Sequence, residues 1–351
     1  MSQQKNTNPD LAVALAFLAG GLLGSALRKP ERAQEFEGKT ALVTGGTRGL
    51  GRALVRELAS RGAKVVFCAR HADEIERSQA SLEVEGLSGV LGMVADLSRP
   101  NTPEELVARV EQTLGAVDIL INNAGIIQVA PFLNTREESF HQCLDLFLYA
   151  PLRLSTAVLP QMLSQGEGTI VNIASVGGQV PSPHMTAYNC GKSALVALSE
   201  GMSVELGRYG VNVLTVVPGL MRTGGHRNAE FAGKPDKEYA WFSRAAIHPA
   251  LAACPYRVAR KVVDGIRDRN RTLYPGWEAK LGPRFHRLFP DITLAVSSMI
   301  NRLLPRPGRE DEPRSGHLLA HNEGSQMSSI MRKLEESVLR EHQAARLPLV
   351  P

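Results

Sequence analysis

Short apolar runs alternate with helical patterns from residue 40 to about residue 275. The apolar runs are short and nearly continuous, as strands covered on both faces require. Amphipathic stretches such as residues 53–58 lie between them, with the spacing of a helix. This alternation predicts an α/β fold, a Rossmann-type doubly wound parallel sheet of about seven strands with helices on both faces. The clearest runs are Ala41–Val43, Lys64–Arg70, Ile119–Ile121, Ile170–Ile173 and Val211–Val217.

A separate hydrophobic segment precedes this region. Residues 11–27 contain no charge and are followed by Arg28, Lys29 and Arg32. Seventeen residues at 1.5 Å each are just long enough to span hydrocarbon, and basic residues on the following flank favour a cytoplasmic enzyme body. We expect a membrane anchor. Two alternatives remain open: a hydrophobic helix packed on protein with the chain cytoplasmic, or a signal peptide cleaved near Gly24–Ala26.

The other end carries a second amphipathic region. Residues 283–305 mix large apolar side chains with arginines, which predicts a pair of helices. They could pack on the core, contact a second subunit, or border the substrate entrance and touch lipid. Residues 305–316 are expected to form a charged, proline-rich linker, and residues 326–344 a further helix. The predicted organisation is 1–37 anchor and linker, 38–275 catalytic domain, and 276–351 helical extension with a mobile tail.

Composition excludes several classes of function. The net charge is +5 and the pI is near 9.1, but acidic residues are interleaved and no basic stripe with aromatics is visible, so no nucleic-acid partner is expected. Four cysteines are scattered, which favours a reducing compartment. The nine histidines form no H-x-x-x-H run, and no metal is expected.

A glycine-rich turn follows the first strand. Residues Thr44–Gly51 read TGGTRGLG and lead directly into a helical pattern. Glycine permits positive φ and close backbone approach, and the N-terminus of the helix presents N–H groups to an anion. Strand, turn and helix in this order indicate a site for the pyrophosphate of a dinucleotide.

The end of the second strand bears on the choice of dinucleotide. An NAD site usually has an acidic residue there for the ribose 2′-hydroxyl, but this chain has Ala69 and Arg70. Arg48 in the glycine turn adds another guanidinium, and two such groups suit a 2′-phosphate. The sequence predicts NADP(H), unless both arginines are ordinary surface charges.

Tyr188 and Lys192 are four residues apart on a predicted helix and therefore share a face. A nearby cation favours the phenolate and lowers the pKa of the tyrosine toward a useful acid or base value. This pair is a candidate proton donor, although such pairs also occur on ordinary helix surfaces.

Taken together in order, these features resemble the short-chain dehydrogenase/reductase family, in its compact single-domain branch, over roughly residues 38–275. The remaining motif residues follow successive strands: Asp96, Asn122–Gly125, Ser175, Pro218–Gly219 and Thr223. The resemblance implies that Asp96 accepts from adenine, Asn123–Gly125 line the adenosine ribose, and Thr223 contacts the nicotinamide amide. The full set implied for cofactor binding is Thr44, Gly45, Thr47, Arg48, Gly49, Leu50, Gly51, Arg70, Asp96, Leu97, Asn123, Ala124, Gly125, Tyr188, Lys192, Pro218, Gly219 and Thr223.

The resemblance also implies a catalytic set. Ser175 would hydrogen-bond the substrate oxygen, Tyr188 would exchange a proton with it, and Lys192 would bind the nicotinamide ribose. One position departs from the family pattern, because the helix after the fourth strand carries Phe147 where the family has an asparagine that supports a proton relay through water. A benzyl group cannot hold that water, so the relay is either rerouted or impaired.

These observations predict an NADP(H)-dependent oxidoreductase that interconverts a carbonyl and an alcohol on an apolar, membrane-delivered substrate. The alternative is a membrane-tethered NADP(H)-binding sensor or scaffold with catalysis weakened by Phe147. Specificity is expected in the segment from Leu220 to Ala252, whose aromatic residues face either substrate or core. The family resemblance further implies a homo-oligomer.

Overall fold

A computed structural model describes residues 34–323, residue 333 and residues 335–338. The predicted anchor at 11–27 and most of the predicted helix at 326–344 lie outside the described residues. The strands are β1 Thr40–Thr44, β2 Lys64–Ala69, β3 Val90–Val94, β4 Ile119–Asn122, β5 Gln128–Val129, β6 Gly168–Ile173, β7 Val211–Val216, β8 Glu230–Gly233, β9 Thr272–Leu273 and β10 Glu310–Ser315. The helices are α1 Gly49–Ala59, α2 Ala72–Val84, α3 Thr102–Leu114, α4 Glu137–Leu144, α5 Ala150–Gln165, α6 Thr186–Leu206, α7 Pro235–Ile247, α8 Pro255–Arg267, α9 Trp277–Leu288, α10 Pro290–Asn301 and α11 Gly316–Glu323.

Seven strands form one parallel sheet in the order β3-β2-β1-β4-β6-β7-β9. The predicted fold class is therefore confirmed. The strand order reverses between β1 and β4, and ligands of such sheets bind at the carboxyl ends of the strands beside this point. The glycine turn follows β1 and the Asn122–Gly125 motif follows β4, so the fold brings the two motifs to the same edge.

Successive side chains of each strand point to opposite faces of the sheet. Helices cover both faces, so both sets of side chains are buried. In β1, Ala41 and Val43 pack with α1 and α8, whereas Leu42 packs with α3 and α5. Fully burying a leucine contributes about 1.5–3 kcal/mol, and Leu54 and Leu58 of α1 are both fully buried. This alternation explains why the strands read as continuous apolar runs.

A second sheet has three strands in the order β10-β8-β5, and its central strand β8 belongs to the segment predicted to set specificity. The prediction of a linker at 305–316 was wrong, because residues 310–315 pair antiparallel with β8. Asn134 holds the beginning of β10 in position, because its side-chain nitrogen donates to the Gly308 carbonyl at 3.1 Å and to Asp311 at 2.7 Å. This strand is charged and mostly exposed, so it lacks the apolar run by which the sequence indicates a strand.

The segment from Leu220 to Ala252 is not an open loop. It contains β8 and α7, and its aromatic side chains form a small core with β5 and α11. Phe231, Tyr239 and Phe242 are buried in that core, so they face protein rather than a substrate cavity.

One long helix runs from Glu137 to Gln165 through α4, a π-helical turn at Asp145–Tyr149, and α5. Within the described residues it is the single helix that is long and apolar enough to cross a membrane. Its buried side chains, Leu154, Val158 and Met162 among them, pack against the parallel sheet. Core helices of soluble proteins have the same length and composition, so this helix is explained by its packing.

Candidate active site

The glycine turn forms a tight cradle at the N-terminus of α1. Gly45 and Gly49 have φ of +67° and +56°, which side-chain-bearing residues rarely adopt. A β-carbon at Gly51 would overlap the Gly45 carbonyl oxygen, and one at Gly49 would lie 3.0 Å from the Thr223 β-carbon. Such close backbone packing beside a helix N-terminus fits the pyrophosphate of a dinucleotide. Thr223 therefore lies next to the turn.

Hydrogen bonds join the cradle to the motif after β4. The Thr44 hydroxyl accepts from the backbone N–H groups of Asn123 and Ala124, each at 2.9 Å. The Asn123 amide in turn donates to the carbonyls of Thr44, at 2.9 Å, and Gly45, at 3.2 Å. The two switch-point loops are therefore one rigid unit. Leu50 and Leu97 are buried in the cores on either side of the sheet, so only their backbones can face a cofactor.

The expected pair of arginines has a different environment from the predicted one. The Nη1 of Arg48 donates to both carboxylate oxygens of Glu74 in α2, at 2.8 and 2.7 Å. The Thr47 hydroxyl also donates to this carboxylate, at 3.3 Å. The Arg48 guanidinium is already committed to a carboxylate that sequence reasoning missed. Arg70 is exposed at the end of β2, and its charge acts on Asp96 of the neighbouring loop.

Asp96 is ionised readily despite partial burial. Burial raises the pKa of its carboxyl, but hydrogen bonds from Ser98 and the charges of Arg70 and Arg99 outweigh it and lower the pKa. The Ser98 hydroxyl donates to Asp96 at 2.7 Å and its backbone N–H at 3.2 Å. A carboxylate fixed in this way can accept from an amino group of a bound base.

Ser175 and Tyr188 lie side by side at the end of β6, since a β-carbon at Gly177 would be 3.3 Å from the Tyr188 ring and 3.6 Å from the Ser175 oxygen. The Ser175 oxygen accepts from the Gly177 N–H at 3.1 Å, which orients the hydroxyl. The Val176 N–H donates to the Pro218 carbonyl at 2.9 Å, and this bond holds the Pro218–Gly219 loop against the serine loop. The structure therefore brings these predicted site residues together.

The Lys192 ammonium is buried against Phe147. Its nitrogen lies 4.0 Å from the centre of the Phe147 ring and 6.0 Å from that of Tyr188, and it donates to the Ile173 carbonyl at 2.7 Å. The Phe147 ring also meets Tyr188 edge-on, with ring centres 5.5 Å apart. Phe147 thus contacts both members of the tyrosine–lysine pair.

A π-helical turn and two glycines make room for this ring. Phe147 lies within the turn at Asp145–Tyr149, where one extra residue shifts the direction of its side chain. A β-carbon at Gly125 or Gly191 would lie 2.9 or 2.7 Å from the ring. The sequence identified Phe147 as a departure from the family pattern, but gave no sign of the π-helical turn.

The pKa directions in this arrangement differ from the sequence expectation. Burial raises the pKa of the Tyr188 phenol above its ordinary value, and this outweighs the opposite effect of the neighbouring Ser175 hydroxyl. Burial lowers the pKa of the Lys192 ammonium to about 7. The expected lowering of the tyrosine pKa by lysine is absent here because the ammonium is directed to Phe147 and the Ile173 carbonyl.

A buried polar chain, missed in the sequence, crosses the sheet beneath the site. Asn122 donates to Asn172 at 2.8 Å, Asn172 to Ser199 at 3.0 Å, and the Ser199 and Thr215 hydroxyls are 2.6 Å apart. Asn172 within an otherwise apolar strand was the available signal, since a buried amide requires partners.

All four cysteines are free, and the described residues contain no group of three or more histidine, cysteine or acidic side chains that could hold a metal ion.

Comparisons with known proteins agree with the geometry. The family model described as short chain dehydrogenase matches residues 39–231. A pig protein, dehydrogenase/reductase SDR family member 4 of Sus scrofa, is 36% identical over 213 residues, which cover 60% of this chain and 75% of that protein. The 3-oxoacyl-acyl-carrier-protein reductase of Escherichia coli is 34% identical over 188 residues, which cover 54% of this chain and 75% of the enzyme.

Two solved structures share the fold. A short-chain dehydrogenase from Streptomyces avermitilis has a TM-score of 0.64 and 29% identity, covering 75% of this chain and 98% of its own. L-sorbose reductase of Gluconobacter frateurii, solved with NADPH and L-sorbose, has a TM-score of 0.61 and 26% identity, covering 70% of this chain and 97% of its own.

Proposed function

Because this chain belongs to the short-chain dehydrogenase family, we propose that it is an NADP(H)-dependent oxidoreductase for an apolar substrate delivered from a membrane. The family interconverts carbonyl and alcohol groups with a nicotinamide dinucleotide. One observation carries the proposal: Ser175 and Tyr188 are neighbours beside the buried Lys192, at the strand edge that holds the glycine cradle.

The residues divide the work of carbonyl reduction. The nicotinamide, when bound, supplies the hydride to the carbonyl carbon. The oxygen then takes a proton from the Tyr188 hydroxyl, and Ser175 donates a hydrogen bond that fixes this oxygen and stabilises its developing charge. The phenolate that results lies near Lys192, whose nitrogen is 6.0 Å from the centre of the Tyr188 ring. Alcohol oxidation uses the same groups in reverse.

The preference for NADP(H) rests on charge at the end of β2. Arg70 is exposed there, and Ala69 takes the position where an acidic residue would bind a ribose hydroxyl. Arg48 contributes a second positive group once a phosphate competes for it with Glu74. A doubly charged phosphate gains more from two guanidinium groups than a hydroxyl does.

Membrane delivery and a cytoplasmic catalytic domain are supported by the sequence at 11–27 and its basic flank. We also propose self-association. Its support is the outer side of the long helix at 137–165, which exposes Tyr149, Leu152 and Leu163.

The test is consumption of NADPH in the presence of hydrophobic ketones and aldehydes, followed by absorbance. Tyr188→Phe is expected to abolish consumption while cofactor binding, measured by NADPH fluorescence, is retained. Tyr209→Phe, at an exposed tyrosine beyond α6, is the matched control and should leave the rate unchanged. Binding without consumption across the panel would instead support the cofactor-binding sensor.

A further inference from the structure

Helices α9 and α10 form a hairpin that exposes an unusual amount of apolar surface. No side chain of α10 is buried, and in α9 only Ala279 and Pro283 are. Of the 23 large apolar side chains exposed in the described residues, 11 lie between residues 277 and 303. They are Trp277, Leu281, Phe285, Leu288, Phe289, Ile292, Leu294, Val296, Met299, Ile300 and Leu303.

The polarity of α10 is reversed relative to an ordinary surface helix. Ile292, Val296 and Met299 follow helical spacing, share one face and are exposed, and Leu303 is exposed in the turn that follows the helix. The opposite face carries Ser297, Ser298 and Asn301, with Leu294 as its apolar member, and lines a cavity of about 1160 Å³ beside the protein body. A helix of a soluble domain turns its apolar face to the core. Here that face needs an apolar partner outside the described residues.

The segment that contains the hairpin is rich in basic residues. Between residues 277 and 309 the chain has six lysines and arginines against two acidic residues, Glu278 and Asp291, a local charge of +4. The basic set is exposed throughout. Basic side chains near an anionic membrane contribute about 1 kcal/mol each, whereas two copies of this surface would bring like charges together. The basic residues are Lys280, Arg284, Arg287, Arg302, Arg306 and Arg309.

We infer that the α9–α10 hairpin is a docking surface for an anionic phospholipid membrane, with the apolar face of α10 in the lipid and the arginines at the headgroups. This deepens the membrane-delivery part of the proposed function and rests on it. Docking would place the cavity behind α10 next to the bilayer. That cavity is also lined by Gly177, Asn189 and Cys190, which neighbour Ser175 and Tyr188 in the chain. An apolar substrate would thus reach the catalytic helix from lipid.

The chain carries a reporter for this surface. It has two tryptophans, and Trp277 is 76% exposed at the start of α9, whereas Trp241 is half-buried and donates to Glu238 at 2.8 Å. The full-length Trp241→Phe variant, mixed with vesicles of brominated phosphatidylcholine and phosphatidylserine, should show a blue shift and quenching of Trp277 emission. Quenching should weaken in vesicles without phosphatidylserine. The Trp277→Phe protein is the matched control and should not be quenched.

Quenching reports the hairpin itself, even if residues 11–27 hold the chain on the vesicle. Replacing Ile292, Met299 and Leu303 together by serine should remove the quenching and the blue shift while NADPH binding is unchanged, because all three are exposed. Trp277 that stays unquenched on vesicle-bound protein, or quenching that survives the triple change, would overturn the inference. So would a triple change that alters only sedimentation, which would assign the face to a second copy. Cofactor is absent from the assay, so failure here leaves the reductase proposal standing.

Discussion

Phe147 shows how one side chain can change the properties of a shared catalytic arrangement. Its ring face lies 4.0 Å from the Lys192 nitrogen, a distance at which a cation–π interaction favours the charged amine. Burial opposes it and lowers the lysine pKa to about 7. The ring thus replaces, as a neighbour of the lysine, the polar group expected from the family.

Phe147→Leu should lower the Lys192 pKa below 7, since it keeps an apolar side chain but removes the ring that stabilises the ammonium. A cation–π interaction of about 0.5–2 kcal/mol corresponds to a pKa shift of about 0.4–1.5 units. Titration of carbon-13-labelled lysines by NMR measures it, with Lys192→Met identifying the resonance. Phe132→Leu, at an exposed ring, is the control. An unchanged or higher pKa in Phe147→Leu would show that the ring does not stabilise the cation.

Glu74 is the second residue whose role emerged from the structure. Glu74→Gln should strengthen NADPH binding, by about tenfold, because Arg48 loses a charged partner and becomes available to the 2′-phosphate. NADH binding should hardly change. Arg70→Gln should weaken NADPH binding selectively, and Glu76→Gln, exposed on the same helix, should do neither. Fluorescence titration of both cofactors decides the matter, and equal effects on the two would contradict the assignment.

Residue identities were more predictable than residue partners. The chain order of Ser175, Tyr188 and Lys192 was enough to place them at one strand edge. Neither the Arg48–Glu74 pair nor the contact of Lys192 with Phe147 could be inferred, because each joins elements whose relative rotation only the fold sets.

At the scale of elements, the glycine turn is tightly constrained. Gly51→Ala should abolish cofactor binding and destabilise the protein by about 1–3 kcal/mol, because the new methyl group would overlap the Gly45 carbonyl. Gly201→Ala is the matched control on α6: nothing lies within 4 Å of its added carbon, and it should stabilise by about 0.5–1 kcal/mol. Urea unfolding and NADPH titration measure both. Normal binding by the Gly51 variant would exclude this turn as the pyrophosphate site.

Elements with strong local signals were predicted, and those that depend on distant partners were not. The apolar runs at β1, β4, β6 and β7 identified the parallel sheet, because burial on both faces imposes that composition. Strand β10 consists of Glu310–Ser315 and is exposed, so only its pairing with β8 makes it a strand. The aromatics of the specificity segment belong to a core that Leu319 of α11 completes, 88 residues beyond Phe231 and 77 beyond Phe242.

At the scale of the whole molecule, the C-terminal region contacts the segment beside the active site. Glu335 accepts from His226 at 3.1 Å and from Arg227 at 2.9 Å, all in a largely buried setting. Burial raises the pKa of the Glu335 carboxyl, but hydrogen bonds and charges from His226 and Arg227 lower it by more. The net pKa is therefore below its usual value of 4.5. The ionised carboxylate is therefore favoured by folding.

A carboxyl group with a lowered folded-state pKa stabilises the protein above its unfolded-state pKa and loses this effect as the pH falls through the folded value. Glu335→Gln should thus lower the free energy of unfolding at neutral pH, by about 1–3 kcal/mol, and the difference from the natural protein should shrink below pH 4.5. Glu336→Gln, at an exposed neighbour, should have no effect at either pH. Urea unfolding across this pH range tests it, and a difference that widens in acid would contradict it.

The most direct test of the central claim follows hydride transfer in the presence and absence of the proposed proton donor. The protein is incubated with NADPH carrying deuterium at the transferable position and with hydrophobic ketones, and the product alcohol is analysed by mass spectrometry. We predict an alcohol one mass unit heavier with the natural protein, and none with Tyr188→Phe. Deuterated alcohol formed equally well by the Tyr188→Phe protein would contradict the role of this tyrosine as the proton donor.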